Sequence, residues 1–122
     1  MGRDVDPDEL AGCVVVEVGE RQAWPFITFA DVESAPSREA RLYLDSSWQV
    51  RLPSGSSGGL SVSADVCRLL DLNSLTVDRV QVSEAGDLEV CFADGSSMTV
   101  SGSATVDTVG EPWWFSPWTF HG

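Results

Sequence analysis

The chain has 122 residues, 43% of them hydrophobic, with nineteen acidic against seven basic side chains and a formal charge of −12. That length fits one domain of the usual ~100–150 residues, and the apolar content suits a folded core rather than a disordered segment. The negative field repels phosphates and anionic headgroups, which argues against nucleic acid and membrane surfaces as partners; it either attracts a basic protein or serves solubility alone.

Near the start, Asp6-Pro7-Asp8-Glu9 reads as a helix beginning, with an Asp cap, Pro at the first helical position and Glu where a capping box places it; Gly12 stops it after one turn. The β-branched run from Cys13 to Val18 predicts a strand with Val14, Val16 and Val18 on one face and Val15 and Glu17 on the other. A strand around Pro25-Phe26-Ile27-Thr28-Phe29 leads to an expected irregular loop from Asp31 to Glu39. Leu42 and Leu44, a turn at Asp45-Ser46-Ser47, and then Trp48, Val50 and Leu52 give the pattern of a hairpin with one inner face.

Pro53 to Gly59 has loop composition. Ser63 suits the cap of a helix over about 64–72, with Val66, Leu69 and Leu70 on one stripe and Asn73 as its stop. Val80 and Val82 open a second meander over about 76–101. Leu88, Val90 and Phe92 alternate inward there, Asp94-Gly95 predicts a type I′ turn, and Met98 and Val100 follow. A Trp-rich terminal strand over about 111–119 completes the reading. The expected fold is therefore α+β and mostly antiparallel β: one domain of two β-meander units (the first over about 13–52), one central helix and a short N-terminal helical turn. The valine pair before Phe29-Ala30-Asp31 echoes that before Phe92-Ala93-Asp94, as an internal duplication or as two ordinary meanders would.

Catalytic groups are scarce. The histidine is His121 and there is no lysine, so histidine triads, Schiff bases and a phosphate-loop Lys find no support. Cys13, Cys67 and Cys91 lack the spacing of a disulfide framework or a zinc site and read as reduced thiols of a cytoplasmic protein. Asp4, Asp6 and Asp8 alternate without the Gly and terminal Glu of a calcium loop. No metal or cofactor is expected. No apolar run approaches the ~20 residues that span a bilayer.

The candidate contact residues are acids expected on strands and turns, namely Asp31, Glu33, Asp45, Asp78, Asp87 and Glu89, together with Trp113 and Trp118 of the terminal aromatic run. Large aromatics either anchor an interface or close the core at an edge where Pro112 and Pro117 are tolerated. The core-closing arrangement turns Trp113 or Trp114 inward and leaves its neighbour partly exposed.

The order Leu10-x-Gly12, a valine strand, an aromatic strand, then Gly86-Asp87-Leu88-Glu89-Val90-Cys91-Phe92-Ala93-Asp94-Gly95 and Glu111-Pro112-Trp113-Trp114 resembles a group of small bacterial β-meander domains of unknown function. Some of that group look like immunity proteins of bacterial toxin systems. The present chain departs from the pattern in its second Trp and its Ser-Pro-Trp tail. The resemblance implies a non-catalytic, immunity- or antitoxin-type inhibitor of a basic effector. A self-associating scaffold, dimerising through the Trp-rich edge, is the alternative.

Overall fold

The computed structural model describes residues 4–52, 69–105, 108 and 110–121. It is an antiparallel β architecture of two sheets facing one core. Strands β1 (Val14–Arg21), β2 (Trp24–Asp31) and β3 (Ser37–Leu44) form the first sheet, joined by β8 (Trp113–Phe115) and β9 (Thr119–His121), which both pair with β3. The second sheet runs β4–β7–β6–β5, from β4 (Trp48–Arg51), β7 (Ser97–Val100), β6 (Leu88–Phe92) and β5 (Val77–Val82). Helix among the described residues comprises 3-10 turns at Pro7–Leu10 and Leu70–Leu72, the second preceded by Leu69 in α-helical conformation.

Alternation predicts burial well in the second meander. Leu88, Val90, Phe92, Met98 and Val100 are all buried, while Glu89, Cys91 and Thr99 face outward. The Asp94-Gly95 turn has a different form from the one expected. Only Gly95 has positive φ, at 95°, and it follows a turn closed by Gly95 N–H to Phe92 O at 3.0 Å. Phe92 N–H then bonds Ser96 O at 2.8 Å, so the loop has three residues with glycine in the left-handed position.

Four further expectations are corrected. In β1 the register shifts between Val15 and Glu17, so Val15 is buried and Val16 is 44% exposed; a bulge resets the alternation read from the valines. Asp31 and Ser37 to Glu39 lie in strands rather than a loop, because Asp31 pairs with Arg38 across the β2–β3 ladder. Strands β3 and β4 lie in different sheets and do not form a hairpin. Alternation fixes which face of a strand is buried, and both sheets face the same core, so pattern alone did not choose the partner. The expected helix over about 64–72 falls mostly outside the described residues. Within 69–72, Leu69 and Leu72 are buried while Leu70 is 56% exposed, which differs from the predicted Leu69–Leu70 stripe.

The terminal aromatic run also differs from a single strand. Between the pairs Leu42↔Phe115 and Glu39↔Thr119 the chain spends one more residue than β3 does. This bulge at Ser116 to Trp118 drives Trp118 fully into the core. Its ring lies 3.9 Å from the Arg38 guanidinium, and its indole N–H bonds Glu9 Oε1 at 3.3 Å. Truncating a buried Trp typically costs ~3–5 kcal/mol. Trp118→Ala is expected to lower the urea midpoint by that equivalent with little change in slope; a midpoint like that of the unaltered protein would contradict the assigned role of Trp118.

Candidate functional site

Acidic groups gather where the N-terminal turn meets the second sheet. A groove of about 700 Å³ is lined there by the carboxylates of Asp6, Asp8, Asp87 and Glu89, with Pro7, Val80 and Val82 as apolar walls. Among the described residues no arginine contributes to this lining.

Local structure sets each carboxylate. Asp6 caps the 3-10 turn through Asp8 N–H at 3.1 Å, and Glu9 Oε1 returns a bond to Asp6 N–H at 3.0 Å, completing the capping box. The turn is tied to β5 by Gly12 N–H to Val77 O at 2.8 Å. Asp87 ends a turn in which Gly86 N–H bonds Ser83 O at 2.9 Å, and its Oδ1 accepts from Gly102 N–H at 2.7 Å. Gly102 packs so closely that a Cβ there would stand 2.4 Å from the Gly86 carbonyl carbon. Glycine is required at that point to bring the Asp87 carboxylate into register. Glu89 stands half-buried on the outer face of β6 between Gln81 and Thr99.

The fold brings two of the candidate residues, Asp87 and Glu89, to the groove, sets Trp113 beside the turn that carries Asp87, and places the others outside the groove lining. Asp31 is engaged by Arg38 Nε at 3.0 Å and by Ser34 N–H at 3.3 Å. Glu33 is exposed beyond β2, Asp45 is half-buried in the β3–β4 connection, and Asp78 is exposed on β5. Trp113 packs against the core and gives its indole N–H to Gly86 O at 2.9 Å. Trp118, expected among the contact residues, has no exposed surface to offer a partner. The bulge that buries it leaves no trace in the alternation of the sequence. Asp6 and Asp8 were legible as capping acids, but their place on the groove depends on a long-range contact with β5.

Asp31, Arg38 and Glu9 also surround Cys13. Burial first, then the Asp31 and Glu9 carboxylates, push its thiol up to about 11, partly opposed by Arg38. On the outer face of β5, Arg79 is raised above its ordinary value, chiefly by its hydrogen bond to Cys91. Among the described residues no group of three or more metal-ligating side chains is found.

No protein family, no curated protein and no solved structure matches this chain.

The Cys13 thiol makes a testable prediction about pH. An unfolded thiol ionises near 9.0, whereas the folded one keeps its proton to about 11. The unfolded state therefore binds fewer protons in that window, and Cys13 contributes a loss of stability as pH rises from 9 to 11. Chemical denaturation of the protein and of Cys13→Ala across that range measures it; equal pH slopes for the two proteins would contradict the assignment.

Proposed function

We propose that this chain is a non-catalytic binding domain that takes a basic protein partner into its acidic groove. The observation that carries the reading is the groove itself, lined among the described residues by four acidic residues and apolar walls and by no cationic side chain. Such a site attracts Arg and Lys side chains, speeds encounter through the −12 field, and rejects acidic partners by like-charge contact. Apolar walls at Val80 and Val82 let the aliphatic stems of those side chains bury area beside the charges.

The finer reading is an inhibitor of the immunity or antitoxin type. The domain would cover the basic cleft of an effector, such as one that handles a phosphodiester backbone, with its own carboxylates in place of the phosphates. Net charge, the scarcity of catalytic groups and the resemblance of the Gly86 to Gly95 meander support it. A self-associating scaffold would rest on Trp114 and Phe120 of the terminal run, which keep exposed surface, rather than on Trp118, which is buried, or Trp113, which packs inward.

The test compares captured proteins from a host lysate at low ionic strength on the native domain and on the double variant Asp87→Asn, Glu89→Gln. Asn retains an oxygen acceptor for Gly102 N–H, so the turn keeps its bond while the charge is lost. A basic protein held by the native domain, released by moderate salt and bound about tenfold more weakly by the variant is the expected result. Equal retention by both proteins, or capture of acidic proteins alone, would sink the reading.

A further inference from the structure

The outer face of the five-stranded sheet carries a separate recess of about 280 Å³, built from residues that do not touch the acidic groove. Strand register assembles it. Glu39, Arg41 and Tyr43 alternate outward along β3, Thr28 stands opposite Arg41 on β2, and Thr119 stands opposite Glu39 on β9. Ser116 enters at the terminal bulge, where its Oγ accepts from Arg41 N–H at 2.9 Å.

Arg41 is held in place by its neighbours. Its guanidinium lies 4.3 Å from the centre of the Phe26 ring, with Nη2 3.3 Å from Glu17 Oε1 and Nη1 3.4 Å from Tyr43 Oη. Phe26 is itself pressed onto Gly19, where a Cβ would stand 2.9 Å from Cζ, and Glu17 Oε1 also accepts from the Thr28 hydroxyl at 3.2 Å. A fork fixed on several sides loses little freedom when it meets a ligand.

The donor and acceptor inventory selects the ligand. Ser116 Oγ and Tyr43 Oη each accept a hydrogen bond from Arg41, so each keeps its own O–H to donate. Thr119 offers an exposed hydroxyl that gives and takes, and Glu39 adds carboxylate oxygens. One guanidinium beside Glu17 and Glu39 leaves no local positive excess, and the chain carries −12 overall, so an anion is disfavoured. An added peptide strand is excluded at β3, which is paired on both sides. Tyr43 is the aromatic residue among those lining the recess, and its ring is held between Trp114, stacked at 5.3 Å and 14°, and Phe26 at 5.8 Å. A sugar ring matches this set: its hydroxyls both donate and accept, and its C–H face suits an aromatic wall. The volume lies near the lower end of the ~300–1,000 Å³ usual for ligand pockets, which suits a unit of that size.

We propose that this recess binds a neutral saccharide unit, its hydroxyls on Arg41, Glu39, Ser116 and Thr119 and its apolar face against the part of the Tyr43 ring that lines the recess. The site goes beyond the protein-binding reading and is independent of it.

Calorimetry and indole fluorescence with neutral oligosaccharides built on glucose, mannose, xylose, galactose and N-acetylglucosamine test the proposal. At least one should bind saturably and shift the indole emission. Arg41→Met, which keeps the aliphatic stem on Phe26, and Thr119→Val, at an exposed strand position, should each weaken that binding about tenfold or more while circular dichroism reports an unchanged fold. The Asp87→Asn, Glu89→Gln variant should bind the sugar normally. The proposal is overturned if no oligosaccharide binds, if binding survives both recess variants, or if a proline-rich peptide produces the emission shift in their place.

Discussion

Among the described residues, the Glu9 carboxylate accepts hydrogen bonds from Asp6 N–H at 3.0 Å, from Trp118 Nε1–H at 3.3 Å and from Arg38 Nη1–H at 3.4 Å. The first closes the capping box of the N-terminal turn, the second fixes the indole that fills the core, and the third reaches β3. Arg38 passes the connection on to Asp31 at the end of β2. Both side chains of the Glu9–Arg38 pair are largely screened from water, at 24% and 12% exposure, so each partner left alone would be costly. Through this carboxylate the N-terminal turn is held against the core, and Asp6 and Asp8 take their places on the groove.

The two halves of the chain are interlocked rather than simply stacked. Strand β4 leaves the first meander to pair with β7, and β8 and β9 leave the second half to pair with β3. Isolated bridging of Val14 to Thr76, and Val15 N–H to Leu75 O at 2.9 Å, joins the sheets along the other side. Neither sheet is complete without strands from both halves, so core formation depends on pairings distant in sequence. Such topologies fold more slowly than those built from local contacts.

Much of the strand content was legible because a strand half-buried on one face must alternate, and Leu88 to Val100 do so without interruption. The departures have physical causes that alternation cannot carry. Bulges at Val15–Glu17 and Ser116–Trp118 shift the period by one residue, exposing Val16 and burying Trp118. The crossing from β3 to β4 leaves the inward pattern intact while changing the partner. For the candidate site, Asp87 and Glu89 were readable from the turn and strand that carry them. Asp6 and Asp8 were not, because only the fold brings the capping turn to β5. Trp24, Tyr43 and Trp114 are far apart in sequence and meet only through the register of β2, β3 and β8.

The two sheets carry different chemistry, with carboxylates and apolar walls on one and hydroxyls, a fixed guanidinium and aromatic rings on the other. The groove of the second sheet is the surface proposed to recognise a basic protein. The most direct measurement is an NMR titration of the isotopically labelled domain with the basic protein recovered at low salt. Binding at the groove should shift the amides of Gln81, Asp87, Glu89 and Thr99 together and return them as salt is added. Shifts confined to the outer face of the first sheet, or shifts indifferent to salt, would contradict it.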